Sequence, residues 1–270
     1  MADYVVETEG KQAWITYTHN RIKNNKNALY FISGQTGSGK SWSAISICKQ
    51  LDPDFDESRI VFSGSELLNL VNNGNLKKGS CILFDEAGID LGNRTWQSLT
   101  NRVINYLLQT FRHKNFILIF TSPYMDFVDA ATRKLFHAQF EVLGIDKEAK
   151  KTKLRCKLIE YNGNYSKFYY KYLRIMIKAK RSYLTPIKLW NVAKPEEELV
   201  NNYESKKNVF TLALNQQIEK DLAKKNSQKE KKKKKEYDMK CPKCNYEWKS
   251  YLKQPKRCPK CSKRLISLGN

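Results

Sequence analysis

The sequence predicts an α/β protein with a mainly parallel central sheet covered by helices, followed by a small cysteine-bearing module. Three observations lead there. Apolar runs alternate with helix-period segments over residues 28–143, a Gly-rich octapeptide stands between the first run and the first helix, and Cys-Pro-Lys-Cys occurs twice near the end. Strands that read as continuous apolar runs rather than alternations are buried on both faces, as in parallel sheets.

The elements follow in order. "ALYFIS" (28–33) is an apolar strand, and "SWSAISICKQL" after it spaces Ala44, Ile45, Ile47, Cys48 and Leu51 with helical period. "RIVFSG" (59–64) reads as a second strand, "SELLNLVNNG" as a short helix stopped by Asn-Gly, and "CILFDE" (81–86) as a third strand ending in two carboxylates. "TWQSLTNRVINYLLQTFRHK" (95–114) predicts a long amphipathic helix; "NFILIFTSP" and "HAQFEVLG" predict the fourth and fifth strands. From about residue 150 the period becomes two: "KLRCKLIEYNGNYSKFYYKYLRI" is a hairpin about an Asn-Gly turn, with Lys153, Arg155, Lys157, Tyr161, Lys167, Tyr169 and Lys171 interleaved. Pro195 and three glutamates open a helix expected over 196–223. A lysine-rich, low-complexity linker is expected over 224–239. The expected division is thus a domain at 1–195 that includes the hairpin (150–178), then the helix, the linker, and a module at 240–270.

The net charge of +22 is segregated. Residues 1–146 carry 15 basic and 15 acidic side chains, whereas 147–181 carry 12 against 2 and 224–270 carry 17 against 4. Such blocks suit a polyanionic partner, the plainer alternative being a solvated surface kept for solubility. The densest apolar run, "FILIF", is far shorter than a membrane span, and the acidic start "MADYVVETEG" lacks the apolar core of a signal peptide. No membrane insertion and a cytoplasmic location are expected. Cys48, Cys81 and Cys156 lie singly in apolar contexts, where a small buried thiol is expected rather than a reactive one.

Residues 34–41 fit G-x-x-x-x-G-K-S through Gly34, Gly39, Lys40 and Ser41, with Gln35, Thr36, Gly37 and Ser38 between and Trp42 next. In such a loop glycines let backbone N–H groups turn inward around a β-phosphate, the lysine reaches the β and γ oxygens, and the hydroxyl ligates Mg²⁺. Asp85 closes an apolar strand, where a carboxylate can hold magnesium through water. Glu86 beside it can orient or deprotonate an attacking water, which favours hydrolysis over group transfer.

Together these features resemble the RecA-like, additional-strand, catalytic-glutamate branch of P-loop ATPases. Over residues 28–143, "ILFDEAG", "NRTW", "QTFRHKNFILIFTSP" and "RKLFHAQFEV" are similar to the HerA/FtsK group of DNA-pumping ATPases, especially the zonula occludens toxin (Zot) N-terminal ATPase domain. The resemblance implies ATP as ligand, Lys40 and Ser41 as phosphate and magnesium groups, Asp85 as metal acid and Glu86 as base. It puts Ser122, beside Thr121, at the sensor position where the group often has Gln. It makes Arg112 the candidate for reaching a neighbour's nucleotide, with Arg94 and Arg133 as rivals, and it implies a homo-oligomeric ring, commonly of six, acting on double-stranded DNA.

The two Cys-x-x-C knuckles, Cys241 with Cys244 and Cys258 with Cys261, stand thirteen residues apart. That spacing fits a tetrahedral Zn²⁺ and resembles a zinc ribbon; disulfides are the alternative. Few apolar side chains accompany them, chiefly Tyr246, Trp248, Tyr251, Leu252, Leu265 and Ile266, so metal is expected to supply most of the folding energy. Four ligands close the shell, which makes the module structural or recognitive, with nucleic acid the favoured partner and protein the other. The leading functional expectation is an ATP-driven DNA translocase or packaging motor. A nucleotide-controlled binding switch is the second. A small-molecule kinase comes last, because no segment offers an arginine-bearing lid.

Overall fold

The structure, a computed structural model, describes residues 2–86, 106, 114–177, 182–231 and 236–265, with side chains from Gly10 and, in the last long helix, as far as Ala223. Two compact units divide it, residues 1–212 and 213–270.

In the first unit an eight-stranded sheet forms around β1 (Ala28–Ser33), which is buried at all six positions. Its parallel part runs in the order β5 (Ala138–Asp146), β1, β4 (Ile117–Ser122), β3 (Cys81–Phe84) and β2 (Ile60–Val61). β4 thus stands between the phosphate-loop strand and the strand that ends at the acid pair, whereas "RIVFS", the segment expected to be the extra strand, forms the edge strand β2 beyond β3. Beyond β5 the sheet turns antiparallel through β6 (Lys151–Asn162), which is flanked by β7 (Lys167–Lys171) along its later half and β10 (Leu189–Ala193) along its earlier half. Register Asn162↔Lys167 bears out the hairpin but corrects its turn, which is a four-residue loop at 163–166 with Asn162 still paired, rather than a two-residue turn at Asn162-Gly163. A second small hairpin, β8 (Leu173–Ile177) with β9 (Tyr183–Ile187), was not legible in the alternation.

Each sheet face has its own core. On one face Trp14, Tyr30, Phe140 and Trp190 pack edge to face or tilted, with Trp14 and Phe140 centroids 5.0 Å apart. On the other face Phe31, Phe84, Phe120 and Phe136 make the equivalent cluster. Helix α2 (Lys40–Leu51) and the N-terminal helix α1 (Ala2–Lys23) belong to the first face. No element is predicted before residue 28, and α1 is an addition to the expected order. Its buried stripe is Trp14, Thr18 and Ile22 at four-residue intervals, and the middle member is polar. Thr18 Oγ1 lies 2.8 Å from the Trp14 carbonyl and 2.7 Å from Tyr30 Oη, so the stripe holds a hydroxyl that is paired rather than apolar.

The last long helix corrects two boundaries. It runs from Glu197 to Lys231 rather than ending at 223, because residues 224–231 are mostly Lys, Gln and Glu, which are good helix formers, and contain neither Gly nor Pro, with only Asn226 and Ser227 less favourable. Nor does the first domain stop at 195, because Leu199, Val200 and Tyr203 join the first core and Phe210 packs against it. With the helices α3 (Gly64–Asn73) and α4 (Ala130–Arg133) between, this helix is α5. The helix expected over 95–114 falls almost wholly on 87–105 and 107–113, outside the described residues. Cys48, Cys81 and Cys156 are buried free thiols, and burial pushes those of Cys48 and Cys156 well above the usual range. Among the described residues no helix is long and apolar enough to cross a membrane.

Trp14 touches three aromatic rings and is wholly buried. Trp14→Ala is expected to lower the unfolding free energy of this unit by about 3–5 kcal/mol, read as a shifted urea midpoint in circular dichroism.

Candidate functional site

β1 delivers the chain to a loop that returns it at once as α2. At Gly34 an added Cβ would lie 2.8 Å from both Val142 Cβ and Ser38 Oγ, so only glycine allows the loop to press against β5. Gly39, the N-cap of α2, has φ of +92°, a left-handed conformation that glycine adopts without strain, and the first N–H groups of α2 have no partner within the helix. Lys40 is buried and donates its Nζ to the Gln35 carbonyl at 2.7 Å, closing the loop over itself. That burial lowers its pKa below the usual lysine value, although Asp85 and Glu86 pull the other way.

Asp85 follows β3 and is fully buried. Its Oδ1 accepts from Ser41 Oγ at 2.9 Å and from Thr121 Oγ1 at 2.6 Å. Its Oδ2 accepts from Tyr203 Oη at 2.7 Å, with Lys207 Nζ at 3.5 Å. Glu86 sits at φ of +53°, uncommon for a residue with a side chain. Its N–H donates to Thr121 Oγ1 at 2.8 Å and its Oε1 accepts from Lys207 Nζ at 2.6 Å. Burial would lower the Lys207 pKa, but Asp85, Glu86 and Tyr203 outweigh it and raise the ammonium above its ordinary value. Burial and the Asp85 charge together raise the Tyr203 phenol.

A cavity of about 600 Å³ opens beside these groups, with Thr36, Lys40, Ser41, Glu86 and Lys207 among its walls. Trp42, Phe127 and Ile145 add an apolar side. Trp42 is itself steered by Nε1 donating to Glu204 at 3.3 Å and by Lys194 Nζ, 5.1 Å from its ring centroid. The concavity therefore offers backbone N–H groups and a lysine for anionic oxygens, a hydroxyl beside a carboxylate for a hard cation, and an apolar wall.

A loop of this sequence leading from a buried parallel strand into a helix, an acid at the end of a strand two places away in the sheet, and strand order 5-1-4-3-2 decide the architecture. This is a P-loop NTPase fold. No family model matches the chain, and no curated protein does. Among solved structures, the P-loop chain is similar to the N-terminal domain of zonular occludens toxin from Neisseria meningitidis, at 15% identity over 55% of this chain and 95% of that one, with TM-score 0.33. A DNA polymerase III gamma subunit-related protein from Thermotoga maritima shares 7% identity over 50% of this chain and 47% of that one, TM-score 0.38. ATPases 2 and 3 of EssC from Geobacillus thermodenitrificans share 12% over 69% and 44%, TM-score 0.33. The chain spans less than half the length of these last two.

Of the residues the sequence singles out, the fold brings Lys40, Ser41, Asp85 and Glu86 to one point. Thr36, Gly37, Gly39 and Trp42 line the same cavity. Ser122 is buried opposite Ser33, and its hydroxyl has no hydrogen-bond partner among the described residues; its neighbour Thr121 is the one that touches both acids. Arg112 and Arg94 lie outside the described residues. Arg133 pairs with Asp126 of its own chain. Tyr203 and Lys207 went unseen in the sequence. Their spacing of four puts them on one helix face, but nothing local shows that the face meets Asp85.

In the second unit the four knuckle sulfurs lie within 4.8 Å of one another, with Cys241 to Cys261 and Cys244 to Cys258 both at 3.7 Å. A tetrahedral ion with bonds of about 2.3 Å sets sulfurs about 3.8 Å apart, whereas a disulfide needs about 2.05 Å. The two knuckles fold alike. In each, the first cysteine's N–H bonds a carbonyl five residues on, and a left-handed residue, Asn245 or Ser262, follows the second cysteine. Removal from water raises the Cys241 thiol, but N–H groups of Lys243 and Cys244 outweigh it and lower its pKa. The Tyr246 N–H would lower Cys244, but the neighbouring sulfurs raise it, so the crowded thiols favour a first thiolate and disfavour a second without a cation between them. β11 (Tyr237–Lys240) and β12 (Glu247–Ser250) complete a hairpin beside them.

Thr121→Val preserves shape but takes a donor from Asp85 and an acceptor from the Glu86 N–H. A loss of about 1–3 kcal/mol in unfolding free energy is expected from thermal or urea denaturation of the purified protein.

Proposed function

We propose that the first unit binds Mg²⁺-ATP over Lys40 and hydrolyses it, and that the hydrolysis drives movement or packaging of double-stranded DNA through a homo-oligomeric ring. One observation carries the ATPase part: Ser41, Asp85 and Glu86 converge beside the phosphate loop, each already held in place. In this reading Ser41 and Asp85 hold magnesium, which would supply charge neutralisation at the β and γ oxygens. Lys40 leaves the Gln35 carbonyl for those oxygens, and Glu86 orients and deprotonates the attacking water. Thr121 keeps both acids aimed. Arg112 remains the proposed residue in trans, and Ser122 the residue at the sensor position.

Support for the nucleic-acid part comes from where the charge sits. Along β6, Lys153, Arg155 and Lys157 alternate with the buried Thr152, Leu154 and Cys156, which sets the cations on one outward face. Tyrosines accompany them, with Lys157 Nζ 5.7 Å from the centroid of exposed Tyr170 and Lys134 Nζ 4.8 Å from that of half-buried Tyr161. The proposed zinc ribbon adds Tyr246 stacked on Trp248 at 6.3 Å, with Lys260 Nζ 5.4 Å from the Tyr246 centroid. Bases stack on such rings while cations meet phosphates. The second reading is a nucleotide-controlled binding switch without directional movement.

Turnover measured with and without duplex DNA, on a sample of known assembly state, separates the two. DNA-stimulated hydrolysis that displaces a roadblock supports the motor, and slow turnover indifferent to DNA supports the switch. Glu86→Gln is expected to retain nucleotide and lose about 10²–10⁴-fold in turnover, while Lys40→Ala loses nucleotide binding itself. For the ribbon, one zinc per chain by elemental analysis is expected, with loss of its tryptophan signal on chelation. Zinc-free protein with an unchanged signal would remove the metal from the reading.

A further inference from the structure

The α5 turn that reaches the acid pair is fixed from several directions. Tyr203, one turn earlier, is buried and bonded to Asp85. Phe210, one turn later, stacks on Phe62 with centroids 5.0 Å apart. Lys206 donates to the carbonyls of Glu57 and Ile60, at 2.9 and 2.5 Å, and so ties the same turn to the start of β2. Lys207 therefore extends a flexible four-carbon arm from a fixed origin. Its ammonium lies against Glu86 Oε1 at 2.6 Å and Tyr203 Oη at 3.0 Å, and both Lys207 and Lys40 border the one cavity.

We propose that Lys207 is a triphosphate-reading cation supplied in cis by α5. Without nucleotide it neutralises Glu86; when a triphosphate is seated, the ammonium transfers to the γ-phosphate oxygens. The inference rests on the reading of the cavity as an ATP site and adds a residue to it. The ammonium stands 2.6 Å from Glu86 and 3.5 Å from Asp85, whose own oxygens are already bonded by Ser41, Thr121 and Tyr203, so its close partner is Glu86, and a γ-phosphate carrying more charge and three acceptor oxygens competes for it. A carboxylate paired with an ammonium is a weaker base than a free one, so the same movement releases Glu86 to accept a proton from water. A diphosphate offers no γ oxygens and leaves the latch on Glu86 closed. The cation thus links the presence of the third phosphate to the readiness of the base.

The test is equilibrium binding of fluorescent ATPγS and fluorescent ADP to the full chain with Mg²⁺. In Lys207→Met, affinity for the triphosphate analogue is expected to fall by about tenfold or more, as for a lost charge-assisted bond, with ADP affinity within about twofold of wild type. Lys207→Arg should keep most of the preference. The unchanged ADP affinity also reports that the variant is folded. Equal losses for both nucleotides, no loss for either, or tighter triphosphate binding in Lys207→Met would overturn the inference while leaving the ATP site standing. A wild-type chain that binds neither nucleotide removes the site reading, and the inference with it.

Discussion

The carboxylate of Asp85 is where the first unit is tied together. A charge taken wholly out of water costs several kcal/mol unless hydrogen-bond donors replace the lost hydration. Here the donors come from three separate elements: Ser41 on α2, Thr121 on β4 and Tyr203 on α5. None of these elements can shift without exposing the carboxylate to an unpaired state. The phosphate loop, strand β4 and the C-terminal helix are consequently positioned by one another. Ser41 is also the donor that magnesium would replace in the proposed function, so the carboxylate is compensated with or without the ion.

Glu86 extends the same logic by one residue. A left-handed conformation costs a side-chain-bearing residue roughly 1–2 kcal/mol, and it persists only where the surroundings hold it. Thr121 accepts from its N–H and Lys207 takes its carboxylate, so both ends are fixed. The twist turns the Glu86 side chain to the cavity, while Asp85 stays under the loop. Two adjacent acids thereby face different surroundings, one dry and fully bonded, the other part-exposed with a single movable partner.

What the sequence revealed and what it concealed follow from distance along the chain. The phosphate loop, the acid pair, the five strands and the cysteine knuckles are each encoded within a dozen residues, and the structure has them where spacing put them. The N-terminal helix escaped notice because its buried stripe contains Thr18, whose partner Tyr30 lies beyond the helix. The docking of α5 escaped because Tyr203 and Lys207 sit in a largely polar helix, and their partners are more than a hundred residues away. Thr121 and Ser122 make the same point at the smallest scale. Adjacent strand residues point to opposite faces, and only the assembled sheet decides which one meets the acids.

The period-two pattern that sets β6 apart from the apolar core strands also explains how a basic surface and a core contribution come from one strand. Thr152, Leu154 and Cys156 extend the core, and the same backbone sets Lys153, Arg155 and Lys157 outward. Alternate residues on a strand repeat at about 6.6 Å, so the three cations stand in an evenly spaced row. Glu141 pairs with Arg155 on this face and tempers repulsion among the three cations. A polyanion laid along the strand would do the same for all of them at once. Repulsion left in the free protein would in this way be relieved by the partner that the proposed function requires.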